Sequence, residues 1–249
     1  MIKLYKNKNP NIKKISLLFV GQIALGTLPV ILFAIYIVYV QRLRELEEYN
    51  ISLGFIFIAI MLFSLVGYGA AAQKYNVLIS GYRGERLLVK TAKRLIGNYT
   101  VFTNLPIRYK KNRSEIDLLM VGDKGILIIE VKNHSGVLIG SDNDEVWIHR
   151  KYYRKGRIVE TKMENPFKQI KRQREILKSI LRANGLDIWV DSILFFSGNP
   201  GLRLKVNNDI DIASTENELV GLISDYNAKT PPTCEECKEI VRILKNIKF

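Results

Sequence analysis

Ile116-Asp117-Leu118-Leu119-Met120-Val121, then Gly122-Asp123-Lys124-Gly125, then Ile126-Leu127-Ile128-Ile129-Glu130-Val131-Lys132 is the stretch whose reading decides the fold. Two aliphatic runs of strand length flank four residues of turn composition, the pattern of a β-hairpin. With Asp123-Lys124 as the two-residue loop, Gly122 faces Gly125 and Asp117 falls opposite Glu130. Opposed residues in an antiparallel pair have Cα atoms roughly 4.5–5.5 Å apart. Strand alternation puts Lys132 on the face of Glu130. Two carboxylates so placed repel each other, and a hard divalent cation with oxygen ligands would compensate them, with Lys132 alongside. The alternatives are that Glu130 and Lys132, two apart on one strand face, form a structural ion pair, and that a register shifted by one residue makes Asp117 a loop cap.

The rest of the 249-residue chain divides by charge. Lys3, Lys6, Lys8, Lys13 and Lys14 precede two uncharged runs, Ile15 to Val40 and Ile51 to Ala72, each long enough for a membrane-spanning helix. The first run exceeds a signal-peptide core of about 7–15 residues, and no small-x-small site follows it. The expected order is therefore a basic cytoplasmic tail (1–14), a first span (15–40), a short external loop (41–50), a second span (51–72) and a cytoplasmic domain (73–249). The Lys/Arg bias sets both termini in the cytoplasm of a multi-pass cell-membrane protein. Net charge is +14, from 38 Lys and Arg against 24 Asp and Glu, and the excess persists beyond the spans. That favours a polyanion, either nucleic acid or the anionic lipid surface, and charge alone does not choose between them.

In the domain, Glu85 to Ile96 has helical periodicity ended by Gly97-Asn98, with Glu85 on the apolar side. Val101 to Ile107 reads as an edge strand leading into the basic loop Arg108 to Arg113. Val146 to Ile148 and Tyr152 to Val159 read as a second hairpin around a Lys/Arg-rich turn. Trp147, Tyr152 and Tyr153 among Arg150, Lys151, Arg154 and Lys155 read as a core aromatic plus a basic turn, with base stacking the second reading. Asn165-Pro166 opens a helix through about Ala183 that Asn184-Gly185 ends. Gln169, with Gln173, Ile176 and Ile180 at helical spacing, turns inward. Lys171, Arg174, Lys178 and Arg182 form an opposite stripe that could follow a phosphate backbone, although a solvated face is the commoner meaning. Ile188 to Phe196 is a buried strand, Ile210 to Ile212 a further strand, and Glu216 to Ile223 and Glu235 to Lys245 are helical. Cys234 and Cys237, without a second pair, are a weak metal signal, and His134 and His149 have no triad partners.

Gly84-Glu85, Glu115-Ile116-Asp117, Ile129-Glu130-Val131-Lys132-Asn133-x-Ser135-Gly136, Trp147 and Asn165-Pro166-x-x-Gln169 together resemble the nuclease-related domain (NERD) of the restriction-endonuclease-like Asp…Glu-x-Lys superfamily, over about 81–183. The resemblance implies an α/β fold, a restriction-endonuclease-like mixed sheet flanked by helices, here preceded by two transmembrane helices. It implies that Asp117 and Glu130 ligate Mg2+ (or Mn2+), that Lys132 orients or activates the attacking water, and that Glu85 and Gln169 support them. Many relatives have Gln where this chain has Glu115 and His where it has Leu118, which removes an additional base. Two functions follow: a membrane-anchored Mg-dependent nuclease hydrolysing phosphodiester bonds of DNA or RNA, or a non-catalytic module binding nucleic acid, anionic lipid or protein on the same fold.

Overall fold

The computed structural model of the chain describes residues 3–45, 51–93, 98–207 and 209–247. The chain forms two compact units, Asn9–Tyr82 and Met1–Lys8 with Arg83–Phe249.

The first unit is built from helices α1 (Ile12–Glu45) and α2 (Ile51–Ala92), whose C-terminal part enters the second unit. α1 continues through Glu45, inside the expected loop at 41–50, and the remainder of that loop lies outside the described residues. Gly26 faces the Tyr68 ring and Gly67 faces Leu25, while Phe19 meets Tyr75 and Tyr36 meets Phe57, so the helices pack antiparallel. Small residues at such crossings permit close approach where no hydrophobic drive separates helix from lipid. Both helices are long and apolar enough to cross a membrane, with mean hydropathies of 2.4 and 2.2 and only 6% of each apolar window buried within the chain. Surfaces this apolar and this uncovered are not core helices of a water-soluble fold.

The second unit is mixed α/β. Its strands are β1 (Lys3–Lys6), β2 (Tyr99–Tyr109), β3 (Asn112–Gly122), β4 (Gly125–Lys132), β5 (Val137–Ser141), β6 (Val146–Tyr152), β7 (Ile158–Glu164), β8 (Val190–Phe196), β9 (Gly201–Lys205) and β10 (Asp211–Ala213). Its helices are α3 (Pro166–Ala183), α4 (Glu216–Asp225) and α5 (Cys234–Lys245), besides the end of α2. One sheet runs β1-β2-β3-β4-β8-β10 and a second runs β7-β6-β5-β9. The larger sheet is mixed: β2, β3 and β4 are antiparallel, whereas β1 joins β2, and β8 joins β4 and β10, in parallel. One face packs with α3 and α5 around Phe102, Leu119, Ile128, Ile176 and Ile240, the other with α4 and the end of α2 around Leu88, Leu118, Ile129 and Leu219.

The basic segment expected as a tail is in part a strand. β1 pairs Lys3 to Lys6 with Thr100 to Thr103, so β2 is an inner strand and not an edge. The expected helix stop near Gly97 falls outside the described residues, and α2 is assigned through Ala92. The second hairpin turns about five residues later than read, at 153–157 and not 149–151, with strand pairing from Val146–Glu164 to Tyr152–Ile158. β5 and β9 have no counterpart in the sequence reading; they pair in parallel with each other, and β6 with β7 completes that sheet.

Candidate active site

The hairpin of β3 and β4 has the expected register, from Gly122 opposite Gly125 to Leu118 opposite Ile129, and stops there. The next step would oppose Asp117 to Glu130. The ladder with β2 is also interrupted at this level, because Thr103 pairs with Leu118 and Leu105 with Ile116, skipping Asn104 and Asp117. Asn104 adopts a left-handed backbone, φ 48°, a conformation Asn tolerates better than most residues. The phase of alternation slips here: Phe102 and Leu105, three apart, both join the α3-side core, as do Ile116 and Leu119. Asp117 sits in that slip, and its Oδ2 accepts the Val131 backbone N–H at 2.9 Å. The side chain thus satisfies the first donor past the end of the ladder, as the pairing of buried backbone groups requires.

Glu130, 1% exposed, faces α3. Its Oε1 accepts from Lys132 Nζ at 2.5 Å and from Gln169 Nε2 at 2.6 Å, and its Oε2 accepts from Gln173 Nε2 at 2.7 Å. Lys132 Nζ also donates to Gln169 Oε1 at 2.8 Å, so Lys132, Glu130 and Gln169 close a triangle. Gln173, fully buried, donates again to the Glu115 carbonyl at 2.7 Å, while its Oε1 has no partner among the described residues. Sequence reading used Gln173 only to orient the helix. Its position one turn beyond Gln169 on the same face was the available signal.

The start of α3 explains why these amides point at the hairpin. Asn165 caps the helix by accepting from Phe167 N at 2.9 Å, with Pro166 at its first position. The Asn165 amide nitrogen donates to the carbonyls of Ser141, Asp142 and Asp144, pinning the helix start to the β5–β6 turn. Trp147 locks the same turn through its indole N–H to Ser141 O at 2.8 Å. Gly140 has to be glycine there, since a Cβ would stand 2.3 Å from the Trp147 ring. On the other side Gly84 brings α2 close to Asn133 and Ser197, and Glu85 accepts from Asn104 Nδ2 at 2.9 Å.

The electrostatics follow from this crowding. Asp117 is held well above the usual carboxylate range by lost solvation and then by Glu130, against smaller opposing effects of Lys132 and the Val131 N–H. Burial, then Glu85 and Glu130, also raises Glu115. The Lys132 ammonium is opposed by burial, but Glu130 and Asp117 outweigh that and its pKa is raised, so it stays charged. Glu85, Glu115, Asp117 and Glu130 thus act on one another through their charge, with the Lys132 ammonium at Glu130 and Asp117.

An oxygen-preferring cation fits this donor set. Among the described residues three donors reach Glu130, and a carboxylate has about four acceptor positions, so one remains on Oε2. Among the described residues no group of three or more His, Cys, Asp or Glu is placed to hold an ion. Mg2+ needs no such cage, since it is commonly held by one or two carboxylates, water and substrate phosphate.

The basic stripe of α3 is largely occupied within the protein. Arg174 is buried, donates to Asp209 Oδ2 at 2.7 Å and lies over the Trp189 ring, which also receives Lys178 Nζ at 4.2 Å. Arg182 is exposed and pairs with Asp187, and Lys171 is exposed. The four do not form a free row of cations. Cys234 and Cys237 are free thiols.

Comparison with known proteins agrees with the region the geometry picks out. The nuclease-related domain profile matches residues 80–197. An uncharacterized protein of Bacillus anthracis is 24% identical over 121 residues, covering 46% of this chain and 52% of the relative, so the match spans about half the relative's length. No solved structure matches. The matched residues 80–197, which hold the β3–β4 carboxylates, Lys132 and the Asn165-Pro166 helix, are thus similar to the nuclease-related domain.

Proposed function

We propose that this chain is a membrane-anchored, metal-dependent nuclease that hydrolyses phosphodiester bonds of DNA or RNA. The observation that carries the reading is the hydrogen-bonded triangle of Glu130, Lys132 and Gln169 beside Asp117, within the residues similar to the nuclease-related domain. Asp117 and Glu130 would hold Mg2+ or Mn2+. When bound, the ion would lower the pKa of a water and polarise the scissile phosphate. Lys132, charged and held at Glu130, sits where it can orient that water and stabilise negative charge in the transition state. Gln169 fixes the Lys132 ammonium and Gln173 fixes the Glu130 carboxylate, so neither group reorganises during the reaction. Glu85 and Glu115 add negative charge that strengthens the demand for a cation.

The test is the full chain in lipid nanodiscs with labelled single- and double-stranded DNA and RNA, in Mg2+, Mn2+ or EDTA. Lys132→Ala should cut cleavage by on the order of a hundredfold or more, the usual loss for one transition-state donor, while nucleic-acid affinity changes little. Normal cleavage by that variant would sink the assignment. The second reading is binding without turnover; wild-type protein that binds but never cuts would establish it.

For placement, five Lys before the first uncharged run at Ile15 support a cytoplasmic domain by the positive-inside rule. The pairing of β1 with β2 supports the same side for the amino terminus and the domain, since they share a sheet. A carboxy-terminal reporter active only outside the cytoplasm should stay silent, and activity there would reverse the orientation.

A further inference from the structure

The second sheet carries a surface that the catalytic reading does not use. β6 and β7 form a hairpin whose turn holds Arg154, Lys155 and Arg157 and no acidic residue. The turn is tightly closed: Tyr153 N–H donates to Arg157 O at 2.8 Å, and Lys155 and Gly156 take left-handed backbones with φ of 60° and 73°. Trp147, at the other end of β6, is the core aromatic expected from sequence. Tyr152 and Tyr153 are not in the core; they are 57% and 53% exposed. Both rings are more than half in water, in a segment that also holds Lys151, Arg154, Lys155 and Arg157, with Arg150 at the Tyr152 side chain, and they contribute little to packing.

The hairpin is tied to the candidate active site. On β6, His149 meets Ser135 O through Nε2 at 2.6 Å, and its ring contacts His134 at 4.9 Å between centroids. His134 and Ser135 follow Lys132 in the chain. Tyr152 lies three residues beyond His149, roughly 10 Å at 3.3 Å per strand residue. That is roughly three stacked nucleotides at 3.4 Å each. Lys151 lies between, close enough to His134 to join burial, His149 and Lys132 in lowering that ring's pKa.

We propose that Tyr152 and Tyr153, extended neighbours whose rings leave opposite faces of the hairpin tip, each stack an unpaired base of a strand passing around the tip, with Lys151, Arg154, Lys155 and Arg157 on the phosphates of the same strand, so that the substrate has single-stranded character. This rests on the nucleic-acid reading above and names its substrate class. A duplex hides its base faces except at its ends, whereas a single strand offers one at every nucleotide. An anionic membrane is the competing partner for a Tyr- and Arg-rich tip. Continuity of the hairpin with the Lys132 segment favours the strand that enters the site.

The experiment uses the full chain in phosphatidylcholine nanodiscs with EDTA present, so that binding is read without cleavage. Anisotropy is measured for a short labelled single strand and for a blunt duplex of the same sequence. The double variant Tyr152→Ala/Tyr153→Ala should lose about tenfold or more in single-strand affinity, the usual cost of removing base stacking, and stay within about twofold on the duplex. Tyr152→Phe/Tyr153→Phe should bind as wild type, because stacking needs the ring and not the hydroxyl. Arg154→Gln/Lys155→Gln should lower the salt dependence instead. Equal losses on both substrates, or no loss, would overturn the proposal. So would an alanine variant that binds the single strand normally but no longer binds phosphatidylserine vesicles. If the wild type cuts while the alanine variant binds single strands normally, this inference fails alone. If the variant loses single-strand binding but the wild type never cuts, the nuclease reading fails alone.

Discussion

Gln173→Met tests whether the buried amide holds Glu130 or only fills space. Met is close to Gln in volume and has no donor, so the change removes two hydrogen bonds with little cavity. The bond to Glu130 Oε2 is charge-assisted and contributes about 1.5–3 kcal/mol; the bond to the Glu115 carbonyl contributes about 0.5–1.5 kcal/mol. Against this, Gln173 Oε1 is buried without a partner among the described residues, and removing it returns about 1 kcal/mol. The net cost is about 1–3.5 kcal/mol. With a urea m-value of about 2 kcal/mol per M, the unfolding midpoint should fall by about 0.5–1.75 M. Pulse proteolysis of the full chain in nanodiscs, across a urea series, reads that midpoint for the folded domain. The decisive control is the same change in a Glu130→Gln background. There the bond to residue 130 is neutral, and the cost should fall by about 1–2 kcal/mol, the coupling expected of a contacting pair. An equal shift in both backgrounds, or a shift below about 0.3 M with m near 2 kcal/mol per M, would refute the reasoning.

Two further outcomes follow from the site. Asp117→Asn and Glu130→Gln should each weaken Mn2+ binding by about tenfold or more in calorimetry, the equivalent of one charged contact; unchanged binding in both would remove the metal assignment. The His134 ring, its pKa lowered to about 4 by burial and then by His149, Lys132 and Lys151, should titrate near that value by NMR. The unfolded ring protonates first as pH falls below its ordinary value of about 6.5, so stability should drop between there and about 4. His134→Gln should flatten that part of the profile, and an identical slope in variant and wild type would exclude His134 as its source.

The sequence was most legible where a local rule carried the structure. The turn residues fixed the β3–β4 register, and Asn165, Pro166 and Gly185 bounded α3 to the residue. Gln169 turned inward as its helical spacing required. The failures are non-local. β5 is five residues long and pairs with β9 more than sixty positions away, and no local pattern announces that partner. The alternation of Leu202 and Leu204 with Arg203 and Lys205 was its one trace. The stripe on α3 had the right spacing for an exposed row, but Asp209 and Trp189, from later elements, draw Arg174 and Lys178 onto the protein. The slip at Asn104 and Asp117 was equally hidden, because it depends on one left-handed residue in a neighbouring strand.

β1 changes what is attached to what. The strand before α1 and the strand after α2 are neighbours in one sheet, so the helical pair is an insertion within the domain and not an anchor joined to its end. During synthesis β1 emerges first and must wait for both helices before β2 exists to receive it. Closing so long a loop adds little to the equilibrium cost, which grows only logarithmically, but it delays completion of the sheet. A fragment beginning at residue 73 would lack β1 and leave β2 as an open edge, the kind of surface that promotes aggregation. On the membrane-anchored reading proposed above, maturation of the domain is thereby coupled to delivery of the helices: a chain whose two ends are stranded on opposite faces of a bilayer has no way to finish its own sheet.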